Sequence, residues 1–237
     1  MLSDVHGNLL GLDACLADLE TQGGADAIVV AGDLCVDGPK PKKVLQRLEE
    51  IGASCIRGNT DRYLYDEAEE FEAAEAAQIA WTRREIGERW VGWIKELPFA
   101  MRIGEDENQL LIVHASPRKD DEHIWPDAAE ADLQGIIGEE HATAIAFGHL
   151  HLPYVRFWHG KLLVNVSSAG LPKDGDARAC YAIFTERDGG WEVKHRRVPF
   201  DVKRVATQLA DCAIPGSADL IATLRRHRYK QLKSLIP

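Results

Sequence analysis

Four short apolar runs, each closed by a glycine or a histidine leading a polar segment, constrain the fold of this chain more than any other feature. Residues 27–31 (AIVVA) run into Gly32-Asp33, residues 54–56 (SCI) lead to Gly58-Asn59-Thr60-Asp61, residues 110–113 (LLIV) end on His114-Ala115, and residues 144–147 (AIAF) end on Gly148-His149-Leu150-His151. Runs this short, bounded by turn residues, read as strands buried on both faces. Longer patterns at helical spacing lie between them at residues 8–19 and 41–51, the second entered through Pro39 and Pro41. Strand and helix in alternation predict α/β layering. The apolar residues before Ser3-Asp4 are only Met1-Leu2, so the first strand is either very short or lies partly before residue 1.

From Tyr63 to about Leu97 the pattern is helical, with Trp81, Ile86, Trp90, Val91 and Ile94 as apolar positions and Pro98 as the stop. We read residues 63–98 as a small helical cap insert over the sheet edge, within one domain spanning residues 1–237. From Thr143 onward strands return. Residues 155–158, 161–166, 180–185 and 191–198, parted by His159-Gly160 and Asp188-Gly189-Gly190, are predicted to form an antiparallel, meander-like set. Residues 201–211 and 217–235 read as two tail helices broken at Pro215-Gly216.

In an open α/β sheet, the loops at the carboxyl ends of the strands converge on one crevice. Each polar segment named above sits at such an end, as does Asp4-Val5-His6-Gly7-Asn8. Together they offer two carboxylates (Asp4, Asp33), four imidazoles (His6, His114, His149, His151) and one amide (Asn59). If the segment is extended, His149 and His151, as alternate residues, are expected to point the same way. Imidazole with carboxylate suits zinc, iron or manganese. A single one of these segments carries little weight; five in order carry a metal site.

Composition narrows the setting. A formal net charge of −10 disfavours stable nucleic-acid binding, although metal charge in a pocket still attracts a phosphate substrate. The acid is densest at residues 66–75 and reads as a solvated helix face, as does the basic stretch 225–233. Five scattered cysteines without a CxxC pair argue for a reducing compartment. No apolar run approaches a membrane span of about 18 residues, and the expected location is cytoplasmic.

The five segments resemble, in order, the motifs of the calcineurin-like metallophosphoesterases: D-x-H, G-D, G-N-[HCT]-[DE], H and G-H-x-H. The match runs from Asp4 to His151, and within the family it is similar to the small bacterial and archaeal phosphodiesterase-type branch. The resemblance implies a four-layer α/β/β/α sandwich and a hydrolase acting on phosphate esters through two divalent ions (Mn, Fe, Zn or Ni). By the same resemblance Asp4, His6 and His151 hold one ion, Asn59, His114 and His149 hold the other, and Asp33 with a hydroxide bridges both. The hydroxide attacks phosphorus, and Asn59 also contacts the phosphate. Asn165 and Ser167-Ser168-Ala169-Gly170 resemble the family segment that supports the site from behind.

Two departures bear on the substrate. Where many family members carry a histidine that aids the leaving group, oriented by the following acid, this chain has Thr60, which has no proton to give near neutral pH, followed by Asp61. His123 or a metal-held water is a substitute donor. Protein phosphatases also place an arginine between the Asp and the Gly of the G-D segment; residues 32–39 (GDLCVDGP) contain none. Both features favour a phosphodiester of a small molecule, such as a nucleotide, over the alternative of a nucleotide or Ser/Thr-protein monoesterase. Arg57 is a candidate phosphate contact. Arg118, four residues past His114, could reach the crevice but reads as solvated, and His123 has no motif context. A third reading, a non-catalytic scaffold of the kind the retromer subunit makes of this fold, conflicts with seven filled ligand positions.

Overall fold

A computed structural model describes residues 1–66, 70–105, 108–187 and 189–227. Residues 67–69 of the acidic stretch, Asp188 of the predicted turn, and the part of the tail helix and basic stretch beyond His227 lie outside the described residues. The first half follows the predicted alternation: α1 (Leu9–Thr21), β1 (Val29–Ala31), α2 (Pro41–Glu50) and β2 (Ser54–Ile56). Asn8 caps α1 by accepting a hydrogen bond from Gly11 N at 3.1 Å, and Pro41 occupies the first turn of α2, where no N–H is needed. The first strand is reduced to a parallel bridge between Leu2 and Val30.

Next come the short α3 (Asn59–Tyr63), then α4 (Ala73–Ile86), α5 (Glu88–Lys95), β3 (Ala100–Ile103), β4 (Leu110–Val113), α6 (Glu130–Ile137) and β5 (Ala144–Phe147). The chain closes with β6 (Tyr154–Trp158), β7 (Lys161–Asn165), β8 (Ala179–Arg187), β9 (Gly190–Val198), α7 (Val202–Asp211) and α8 (Ser217–Arg226). One sheet has the order β3-β4-β5-β7-β6. In the other, β1 and β2 run parallel, and the N-terminal residues join them to the β8–β9 hairpin: Leu2 N donates to Val29 O, and Ala182 N donates to Met1 O.

Alternation along each strand sorts the residues into layers. Val29, Ala31 and Ile56 pack against Leu110, Ile112, Ala144 and Ala146 between the sheets. Their neighbours Val30 and Cys55 face outward to Leu12 and Leu16 of α1 and Leu45 and Leu48 of α2. On the far side Leu111, Val113, Ile145 and Phe147 cover Leu133 and Ile137 of α6. The result is helix, sheet, sheet, helix, as expected.

The segment expected as a cap adds to the helices packed on the sheet of β1 and β2. Ile79 and Ile86 of α4 and Trp90, Val91 and Ile94 of α5 share one core with α1 and α2, so they extend the outer helical layer, and Trp81 reaches into the core of α7 and α8. The strands of the second half are corrected. They form two hairpins in different sheets, β6–β7 and β8–β9, because the turn-rich stretch after Asn165 carries the chain from one sheet to the other. Among the described residues no helix is long and apolar enough to cross a membrane.

Trp90 is 2% exposed. Trp90→Ala is expected to lower the stability of the whole domain by about 3–5 kcal/mol, the usual cost of an emptied aromatic site. Urea denaturation followed by far-UV circular dichroism checks this; an unchanged main transition would mean that α4 and α5 fold as a separate unit.

Candidate metal centre

Every expected ligand lies at the carboxyl end of a parallel strand or, for Asp4 and His6, just after the Leu2 bridge. The turns are tight. Asp4, His6, Asp33, His149 and His151 all have φ between 47° and 63°, the left-handed region that strains a non-glycine residue by about 1–3 kcal/mol. Such conformations persist only where surroundings over-determine them. Two glycines permit the close approach. A Cβ on Gly58 would stand 2.2 Å from Asp33 Oδ1, and one on Gly148 2.3 Å from Asp4 Oδ2.

Two groups of side chains result. Asp4, His6 and His151 form one, Asp33, His114 and His149 the other, and within each group one potential ligand atom per residue lies within 4.8 Å of the others. His151 Nε2 is 3.0 Å from Asp4 Oδ1 and 3.3 Å from His6 Nε2. His114 Nε2 is 3.4 Å from Asp33 Oδ1 and 3.1 Å from Asn59 Oδ1. Asp33 touches both groups, because its Oδ2 is 3.6 Å from His6 Nε2.

The backbone aims the rings. His6 Nδ1 lies 3.1 Å from Val36 O, His114 Nδ1 2.7 Å from Ala31 O, and His151 Nδ1 bonds Leu171 O. A carbonyl only accepts, so Nδ1 carries the proton and the Nε2 lone pair faces the site, the tautomer a metal ligand needs. Asn59 Nδ2 donates to Tyr63 Oη at 3.1 Å, which turns Oδ1 toward His114. Asp4 Oδ2 accepts from His149 N at 2.9 Å, while buried Asp4 Oδ1 and His149 Nε2 accept and donate no hydrogen bond.

At His151, lone pairs therefore face lone pairs at 3.0–3.3 Å. Burial lowers the pKa of His149 to about 3 and of His151 to about 4. Burial opposes ionisation of Asp33, yet the neighbouring histidines hold its pKa below the ordinary carboxylate range; in return Asp33 lifts His114 to about 10 against its own burial. Buried carboxylates demand positive charge, and the neutral imidazoles of His149 and His151 offer lone pairs. That donor set fits divalent cations.

Other expected residues are placed around this centre. Asp61 is fully buried and accepts from Asp33 N (2.8 Å), Leu34 N (3.0 Å) and Gly58 N (2.9 Å). It binds the two loops together and does not face the ligand groups. Burial and the Asp33 carboxylate raise its pKa, while the Gly58 and Leu34 amides pull it back. Thr60 N donates to Asp33 Oδ1 at 3.0 Å. Asn165 Nδ2 donates to Gly148 O at 2.6 Å, Ser167 Oγ to His151 O at 3.0 Å and Ser168 Oγ to Asp4 O at 2.7 Å. Arg57 donates to Leu97 O at 3.2 Å and lies over the Phe99 ring at 5.6 Å, on a cleft that Arg62 and Lys119 also line.

Two residues without motif context belong to the neighbourhood. The His123 ring lies 4.7 Å from that of His149, although the sequence around it gives no sign of this. Lys173 N donates to His151 O at 3.2 Å, and its ammonium is depressed by burial and supported by Asp4, Asp37 and Asp33. Its position three residues after Gly170 was the available signal.

Sequence and fold both match known proteins. The sequence profile of a calcineurin-like phosphoesterase superfamily domain matches residues 1–189. An uncharacterized protein of Methanocaldococcus jannaschii is 25% identical over 234 residues, covering 91% of this chain and 93% of its own. The crystal structure of a metallophosphoesterase from Sphaerobacter thermophilus superposes with a TM-score of 0.77 at 25% identity, covering 95% of this chain and 97% of that one. A protein from Pyrococcus horikoshii has the same fold, with a TM-score of 0.83 at 19% identity over 95% of this chain and 96% of its own.

Proposed function

The chain belongs to the calcineurin-like phosphoesterase superfamily, and from that premise we propose that it is a two-metal hydrolase of small phosphodiesters. One observation carries the reading: the two oxygens of Asp33 address two separate groups of ligands, 3.4 Å from His114 and 3.6 Å from His6. Asp4, His6 and His151 would hold one divalent ion and Asn59, His114 and His149 the other, with Asp33 shared. Such a pair supplies Lewis acidity toward phosphate oxygens and an acidified water as nucleophile near neutral pH.

The residues of the chain do the rest. Two carboxylates and otherwise neutral ligands leave the loaded site positive, so it draws an anionic ester. Asn59 keeps a second N–H for a phosphate oxygen after bonding Tyr63. Lys173 adds positive charge beside Asp4 and Asp37. The loops fixed by Asp61, Asn165, Ser167 and Ser168 hold the donors before substrate arrives, which is where rate enhancement of this kind originates. Thr60 lends no proton to a poor leaving group, which points to diesters.

With manganese or nickel added, kcat/KM for bis(4-nitrophenyl) phosphate is expected to exceed that for 4-nitrophenyl phosphate by about tenfold or more, a difference of about 1.4 kcal/mol in barrier. A monoester preference overturns the diester reading. Hydrolysis of neither, with no metal retained on purification, leaves the scaffold reading.

A further inference from the structure

We infer that the cleft lined by His123 and Trp125 binds a flat heteroaromatic ring of the substrate, so that the ester presented to the metal centre is that of a nucleoside. The inference deepens the phosphoesterase reading and rests on it for the position of the phosphate.

The segment after the His114 loop sets its residues alternately. Ile124 is 1% exposed in the core with Leu111 and Phe147, and its carbonyl accepts a hydrogen bond from Tyr154 Oη. That anchor turns the residues on either side outward. The His123 ring lies 4.7 Å from that of His149, tilted by 34°, and is stacked with that of Trp125 at 5.3 Å and 18°. A ladder of rings thus leads from a metal-ligand histidine away from the centre.

His123 and Trp125 line one cleft of about 640 Å³ together with Glu122, Asp127, Asp132 and Ile136, within the about 300–1,000 Å³ of small-molecule sites. Its chemistry suits a base and not a phosphate. Arg118, the cation among the lining residues, is held by Glu122 (Nε to Oε2, 2.8 Å) and donates to Gly135 O at 2.7 Å. The carboxylates on the walls accept hydrogen bonds, which matches the amino groups of adenine, guanine or cytosine. An aromatic platform stacks any base, and truncating one costs about five- to 150-fold in affinity.

Calorimetric titration of the manganese-loaded protein with AMP and with ribose 5-phosphate tests the site without turnover. AMP is expected to bind about tenfold or more tightly; Trp125→Ala should bring the two within about threefold, and Trp125→Phe should restore most of the gap. Equal affinities in the wild type, no binding of either, or a gap that survives Trp125→Ala overturns the inference. The 4-nitrophenyl ester of AMP and methyl 4-nitrophenyl phosphate share a leaving group and separate the two readings. Hydrolysis of both with equal kcat/KM removes the ring site and keeps the hydrolase, whereas an AMP advantage without hydrolysis of either keeps the ring site and removes the hydrolase.

Discussion

Asp33→Ala should leave a folded protein that retains fewer than two divalent ions and hydrolyses diesters about a thousandfold more slowly, or not at all. The size of the effect follows from the position. One carboxylate faces His114 with Oδ1 and His6 with Oδ2, so its loss removes a ligand from both ions and the negative charge that screens them from each other. Several kcal/mol of transition-state stabilisation go with a lost metal, and every 1.36 kcal/mol is tenfold. The fold should survive, because the main chain keeps its bonds at this position, Asp33 N donating to Asp61 and Asp33 O accepting from His6 N, and the side chain adds one structural bond, from Thr60 N to Oδ1. Asp33 has φ 54°, which alanine tolerates less well than asparagine. Asp33→Asn is therefore the control that keeps the turn and removes the charge. Metal content by mass spectrometry of the purified protein and turnover of bis(4-nitrophenyl) phosphate are the two readings. Two ions and full turnover in either variant would sink the two-metal assignment.

The centre was legible because its chemistry sits in short segments at fixed places. Each ligand follows a strand end that hydrophobic runs mark plainly, and the glycines at 58 and 148 are required by contacts of 2.2–2.3 Å to ligand carboxylates. Elements with weak patterns were not legible. β3 is half-buried and, among the described residues, pairs with β4 alone, so it lacks the continuous apolar run of a central strand. α6 is eight residues long, contains Gly135 and buries only Leu133 and Ile137, too few to show a helical period. The assignment of the last four strands to two sheets depends on where the chain crosses beneath the site at Ser167 and Ser168, a matter of tertiary contact that alternation cannot carry. What the helices within residues 63–98 pack against was not legible, because periodicity reports a buried face and not what covers it. The contact of His123 with His149, 26 positions away in sequence, was not legible for the same reason.

The role of Asp61 separates what a motif implies from what the geometry supports. Beside a catalytic histidine this acid would orient a proton donor; here the neighbour is Thr60 and both carboxylate oxygens are taken by backbone amides of Asp33, Leu34 and Gly58. These bonds tie the β1–α2 loop to the β2–α3 turn, and so fix Asp33 relative to Asn59. Asp61→Ala strands three buried N–H groups, each at about 1–3 kcal/mol, and partial relaxation or water entry reduces the sum; the expected loss is about 3–5 kcal/mol, in the range for breaking a buried charged contact. Asp61→Asn offers one acceptor oxygen and points an NH2 at a backbone donor, so it should lose much of the same stability despite its matching shape. Guanidinium denaturation of chelator-treated protein reads the effect apart from metal, and metal titration should then show weakened binding in both variants. A variant that unfolds at the wild-type midpoint, binds metal normally and loses only kcat would instead make Asp61 a participant in the reaction.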